Sequence, residues 1–187
     1  IPLAEEIGLI GEIGDWILKE ACRQGRRWMD EGRAPLIVAV NLSAHQLHQG
    51  DIVERITRVL RESGYPPERL EIELTESALM EREGGLATGR LDRLRNLGVR
   101  LAVDDFGTGY SSLAYLRRFQ LDLLKIDKRF IDEIDRQADA RAIVRAIIAM
   151  GQALGLKILA EGVETQAQLE VLQALGCDSY QGYLKSP

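Results

Sequence analysis

Short apolar runs and amphipathic helical stretches alternate along nearly the whole of this chain, with no hairpin signal between successive runs. Residues 35–44, PLIVAVNLSA, are rich in β-branched side chains and too short for a helix, so they read as a buried strand. A helix follows over 51–64, closed by Gly64 and two prolines. LEIELTES is the next strand, and residues 79–97 the next helix, ending near Gly98. The pattern then repeats. VRLAVDDFGTG is a strand entering a glycine-rich turn, SSLAYLRR a short helix, and LDLLKIDKRFI a strand. Residues 138–154 make a helix closed by Gly155, LKILAEGVET a strand, QAQLEVLQALG a helix, and CDSYQGY a last short strand. Upstream, residues 3–31 carry helical spacing in Ile7, Ile10, Ile13, Ile17 and Ala21, with Trp16 and Trp28 flanking that face. Repeated strand-then-helix units imply a parallel sheet covered by helices, an α/β fold.

The polar residues sit at regular places in this pattern. Asn41, Asp104 with Asp105, Lys125 with Asp127, and Glu161 each fall at or near the C-terminal end of an apolar strand. In a closed (β/α) barrel those ends converge on one face, whereas in an open doubly wound sheet they spread along a line. Acids on so many successive strands favour convergence, hence a TIM-like barrel. A full barrel takes about 250 residues, and this chain of 187 falls short by at least one unit. The absence of a starting Met and the stop at GYLKSP fit a piece of something longer.

Composition narrows the partners. A formal charge of -5 lacks the concentrated basic surface of a DNA or RNA polymer binder, while leaving room for a small anionic ligand. No apolar run reaches the about 18 residues of a spanning helix, so direct membrane contact is not expected. Cys22 and Cys177 have neither CxxC nor His-rich neighbours and read as reduced thiols.

The candidate site is built from oxygen donors. Period two places Glu71, Glu73 and Thr75 on one face of their strand. Glu71 is expected at the surface, Glu73 buried with a cation or charged partner, and Glu76 at the strand exit, holding a neighbouring loop. Asp104 and Asp105 repel each other as neighbours and gain most by sharing divalent metal, though a helix-cap role is the plainer alternative. Gly107 and Gly109 allow a tight turn, but GTG lacks the spacing of a phosphate loop. Asn41 serves equally as an oxygen ligand or a backbone cap. Lys125 could orient a water and steady phosphate charge, or form a structural ion pair. Glu161 fits a metal ligand or a base on attacking water, and Glu164 a support for loop or ligand. His45 and His48 have no metal-site spacing. Asn, Asp and Glu together select Mg²⁺ or Mn²⁺ over zinc. Two such ions suit hydrolysis of a phosphoester, although sugar isomerases and enolase-type lyases share the scaffold and the carboxylates.

VNLSAHQ, ELTES, VDDFGTGYSSLAYL, LLKIDKRFI, LAEGVET and CDSYQGYLKSP, in that order, closely resemble the bacterial EAL-domain family, and IPLAEEIGLI with WILKEACRQ resembles its first helical region. The resemblance covers residues 1–187 and implies an EAL-type domain, partial at both ends: a TIM-like (β/α)8 barrel, incomplete in this chain. It implies metal-dependent hydrolysis of one phosphodiester bond of cyclic di-GMP to linear pGpG, with two Mg²⁺ or Mn²⁺ ions. Carried over by position, Asn41, Glu73 and Asp104 become ligands of the first metal. Asp104 bridges to the second, where Asp105 contributes and Asp127 lies close. Lys125 contacts the nucleophilic water and Glu161 is the base or a ligand near it. Gln181 lies at the rim, and Glu76 steadies the DDFGTGYSS loop, a segment tied in the family to dimer contacts. The family's Glu-Ala-Leu motif is not found in these residues; its strand would lie upstream of Ile1, and the final helix is absent as well. The alternative the resemblance allows is an inactive domain that binds cyclic di-GMP or a protein partner as a regulatory module. A cytoplasmic location, a homodimer and further signalling domains in the parent chain complete the expectation.

Overall fold

A computed structural model describes residues 3, 8–34, 36–48, 51–80, 84–107 and 113–185. The backbone resolves into two compact units, residues 1–101 and 102–187.

In the first unit, helix α1 (Ile10–Asp30) buries Ile10, Leu18, Cys22 and Gly25. This differs from the expected stripe. Ile13 and Ile17 are exposed, as is Trp16, and Ile7 lies outside the described residues. Two apolar arcs coexist on this helix, and packing selects the one that Leu18 and Cys22 continue. Strand β1 (Val38–Asn41) is followed by the short helix α2 (Ala44–His48) and by α3 (Ile52–Ser63), which buries Ile52, Val53, Ile56, Val59 and Leu60. Gly64 ends α3 in the left-handed conformation, φ 65°, with its N–H on the carbonyl of Leu60, as the sequence pattern requires. Beyond it the buried Tyr65 donates its hydroxyl to the Leu36 carbonyl at 2.8 Å, tying the end of α3 to the entry of β1.

Strand β2 (Leu70–Thr75) runs parallel to β1, with Asn41 in register with Glu73. Its residues 70–74 are all buried, so both faces are covered, as in a parallel sheet. Glu71 is therefore not a surface acid. It is 7% exposed, and Arg100 lies 3.7 Å away. Within and just before the helix expected over 79–97, the described residues form α4 (Glu76–Met80) and α5 (Gly84–Asn96); residues 81–83 lie outside the described residues. Strand β3 (Arg100–Phe106) begins at the end of the first unit and continues into the second.

The second unit continues with α6 (Leu113–Phe119), β4 (Leu123–Ile126), α7 (Lys128–Ile131), α8 (Ala138–Ala153), β5 (Lys157–Ala160), α9 (Gln166–Ala174) and β6 (Ser179–Tyr180). β3 pairs with β4, β4 with β5, and β5 with β6, all in parallel. Leu124, Ile126, Ile158 and Ala160 pack with Ile131, Ile134, Val144 and Ile148 as a fully buried core. Strand LDLLKIDKRFI ends earlier than its apolar run suggests. Asp127 accepts the backbone N–H of Arg129 at 2.7 Å, capping α7 and turning the chain out of the sheet. α9 opens with a reciprocal cap: Thr165 Oγ1 accepts from the Gln168 backbone, and Gln168 Oε1 accepts from the Thr165 backbone.

Candidate active site

In the second unit, the polar residues at the strand ends meet. β3 approaches its end with Asp104 and Asp105, and a register shift between Val103 and Phe106 breaks its pairing with β4. Asp105 takes a left-handed backbone, φ 53°, which Asp tolerates better than most side chains. This bulge prevents the strict alternation that would send the two carboxylates to opposite faces. Asp105 donates its N–H to Asp104 Oδ1 at 3.0 Å. Gly107, next but one, has φ 96°, and a Cβ there would stand 2.8 Å from the Phe130 ring. Gly109 and the rest of GTGYSS, residues 108–112, lie outside the described residues.

Lys125, the penultimate residue of β4, is 4% exposed. Its Nζ stands 3.1 Å from Asp104 Oδ1 and 2.7 Å from Glu161 Oε1. Glu161 follows β5 directly, with its N–H on the Ile126 carbonyl at 3.1 Å. Gln181, directly after β6, donates Nε2 to Glu161 Oε1 at 2.6 Å. Carboxylate oxygens of Asp104, Asp105 and Glu161 lie within 4.8 Å of one another. Three hard oxygen donors at such spacing fit a magnesium- or manganese-type ion.

Electrostatics divide the neighbouring acids. Burial, then the negative charges of Asp104 and Asp127 and a hydrogen bond with Asp127, push the Asp105 carboxyl above its ordinary range. Burial pushes Asp127 the same way, but the hydrogen bonds and charge of Arg129 outweigh it and hold Asp127 below its ordinary range. Arg129 meets Asp127 through Nε at 3.1 Å and Nη2 at 3.3 Å. The two neighbouring acids are thus pushed in opposite directions.

Glu164 is exposed and pairs with Lys128, which also reaches Asp132 at 3.2 Å. It anchors the loop after β5 rather than joining the three clustered carboxylates. In the first unit, Asn41 ends β1 beside Glu73 in register, and the Leu42 N–H donates to the Glu73 carbonyl at 2.8 Å. Glu73 is 7% and Glu76 2% exposed, against an exposed Asn41.

Two contributors were not singled out from the residues. A charged side chain just after a strand reads as surface, so Arg129 carries no signal of its pairing with Asp127. Gln168 is 3% exposed; its Oε1 accepts from the backbone of Glu164 at 2.8 Å and of Thr165 at 3.0 Å, and Nε2 donates to Ile131 O at 3.2 Å. It thus fixes the loop carrying Glu161. Thr-x-x-Gln ahead of an apolar run is a capping-box signature that could have revealed it.

Parallel strands that deliver carboxylates and a buried lysine to one end define an α/β protein of the TIM-like class with an acidic site at the strand C-termini. The EAL domain family model matches residues 1–187, and the chain belongs to that family. It is 50% identical over 184 residues to the Pseudomonas aeruginosa bifunctional diguanylate cyclase/cyclic di-GMP phosphodiesterase MucR, covering 98% of this chain and 27% of that protein. With the Pseudomonas aeruginosa cyclic di-GMP phosphodiesterase NbdA it shares 47% identity over 186 residues, covering 100% of this chain and 24% of the relative. The chain thus spans about a quarter of these relatives. A solved structure of the PaMucR phosphodiesterase in complex with c-di-GMP superposes with a TM-score of 0.95 at 49% identity, over 100% of this chain and 75% of that one. The EAL domain of Mycobacterium smegmatis DcpA gives 0.89 at 38% identity, over 95% and 79%. The fold is the EAL-type TIM-like barrel, and the described strands make an incomplete one.

Proposed function

We propose that this chain is a catalytic domain that hydrolyses one phosphodiester bond of cyclic di-GMP to linear pGpG. The observation that carries the reading is Lys125, buried between Asp104 and Glu161 beside a third carboxylate. The names of MucR and NbdA, and the nucleotide in the PaMucR complex, supply the substrate.

Two Mg²⁺ or Mn²⁺ ions would be held by Asp104, Asp105 and Asp127. When bound, they supply charge neutralisation at the phosphoryl oxygens and a more acidic attacking water. The ligand roles expected of Asn41 and Glu73 and the loop role of Glu76 belong to the same proposal. Glu161 receives a proton from the attacking water. Lys125 orients that water and carries positive charge where negative charge develops on the phosphoryl group, without reorganisation, because both its partners hold it in place. Gln181 fixes the Glu161 carboxylate through its amide. Glu164, tied to Lys128, holds the loop that brings Glu161 to β5's end.

A cytoplasmic location, a homodimer and attached signalling domains are part of this reading. The greater length of MucR and NbdA supports the attached domains; among the described residues no helix is long and apolar enough to cross a membrane.

Chromatography of pGpG formed by the full-length protein with Mn²⁺ or Mg²⁺ tests the proposal. Metal-dependent product should appear and fall at least about 100-fold in Glu161→Gln, the range expected for loss of a general base. Folded, metal-bound protein that makes no product would overturn the enzyme reading. Nucleotide binding without turnover would then support the regulatory module.

A further inference from the structure

We propose that Arg129 is an internal cation that competes with a divalent ion for the Asp105–Asp127 edge of the acidic site, and so sets how tightly that edge holds metal. The inference rests on the metal reading above and concerns a residue with no role in it.

Both carboxylate oxygens of Asp127 are engaged by Arg129. Oδ1 accepts from the backbone N–H at 2.7 Å and from Nε at 3.1 Å, and Oδ2 accepts from Nη2 at 3.3 Å. An ion that takes either oxygen must displace a guanidinium contact, or share the carboxylate with a positive charge. The charge of Arg129 also reaches Asp105, and Asp105 in turn hydrogen-bonds Asp127, so the three side chains form one electrostatic unit.

The two cations of the site differ in how freely they can leave. Lys125 has a side chain 5% exposed and is held by Asp104 and Glu161, so its withdrawal would strip a buried pair. The Arg129 side chain is 69% exposed and can turn into water at little cost. Formal charge gives the direction. Asp104, Asp105, Asp127 and Glu161 against Lys125 and Arg129 leave two negative charges, and without Arg129 they leave three. A divalent ion is drawn more strongly to the second arrangement. The backbone N–H that caps α7 is unaffected by a change of the Arg129 side chain, so the competing charge can be removed with the cap left in place.

The test is Mn²⁺ binding to the full-length protein at low ionic strength, by calorimetry and by the electron paramagnetic resonance of free Mn²⁺. The Asp105→Asn protein serves as blank for other sites, and melting curves confirm that each variant folds. Arg129→Gln should bind Mn²⁺ about three- to tenfold more tightly, as expected for removing one positive charge near a divalent ion in a partly exposed site. Arg129→Lys should stay within about twofold of the parent, and the Gln gain should shrink by about 0.5 M salt. Unchanged or weaker binding in Arg129→Gln, with the parent binding normally, would overturn the competition. No binding by the parent would instead overturn the metal reading itself, together with this inference.

Discussion

Lys125→Met offers the sharpest test of how the acidic site is held together. The substitution keeps most of the side-chain volume, so cavity formation contributes little. It removes an ammonium 3.1 Å from Asp104 and 2.7 Å from Glu161, at a position 4% exposed. At an effective dielectric near 20, each contact is worth about 5 kcal/mol before desolvation. Taking the ammonium and its two carboxylate partners out of water costs several kcal/mol per ion, which leaves a net contribution of about 2–4 kcal/mol. The carboxylates, moreover, are then left facing one another uncompensated. Against a typical stability of about 5–15 kcal/mol, that is a large loss. Urea denaturation in chelator-treated buffer at pH 7, followed by circular dichroism, reads it as a lower midpoint with an unchanged slope. Saturating Mg²⁺ should narrow the gap, because an ion at about 100 times its dissociation constant stabilises the protein that binds it by about 2.7 kcal/mol, and the variant has more uncompensated negative charge to offer. A metal-free variant within about 0.5 kcal/mol of the parent would refute the reasoning, since that is the scatter of neutral surface changes. The buried lysine would then be no electrostatic keystone.

Three further outcomes follow from particular contacts. Asp105→Asn should raise the melting temperature of the metal-free protein at neutral pH while removing Mn²⁺ affinity. Asn tolerates the left-handed backbone as Asp does, and the Asp105 carboxyl lies above its ordinary range, so its ionised form costs stability. That gain should fade as pH falls below the ordinary value of 3.8, where Asp105 is neutral in both folded and unfolded chains. Asp127→Ala should cost about 1–2 kcal/mol at pH 7 through loss of the α7 cap. Because the folded-state pKa of Asp127 is depressed, its contribution is present above pH 3.8 and is lost as pH falls through the lower folded value, so the gap between parent and variant urea midpoints seen at pH 7 should narrow progressively as pH falls below 3.8. Gln168→Leu should lower stability by about 1–3 kcal/mol, the cost of leaving the Glu164 and Thr165 N–H groups unpaired. Hydrogen exchange should show faster opening at those two amides, and uniform exchange with no local change would count against the loop-fixing role.

How much of this was legible in the sequence depends on the range over which each feature is decided. Strand order and helix placement follow from local periodicity, and the apolar runs ending in Asn41, Asp104, Lys125 and Glu161 did mark the strand ends. Which arc of α1 is buried is not a local property: Ile13, Ile17 and Trp16 are as apolar as Ile10 and Leu18, and only the packing partner separates them. Glu71 looked like a surface acid because alternation assumes one wet face, whereas β2 is covered on both. Strand β4 stopped early because a carboxylate cap outweighed an apolar run that continued past it. The site divides along the same line. Its acids were readable because carboxylates in apolar strands demand a reason. The pairing of Arg129 with Asp127, and through it the opposite tuning of Asp105 and Asp127, depends on a left-handed turn at Asp105 and on a four-residue helix. Composition and spacing state the charges of such a site. Backbone geometry decides which cation each carboxylate faces, and no spacing of residues along the chain states that choice.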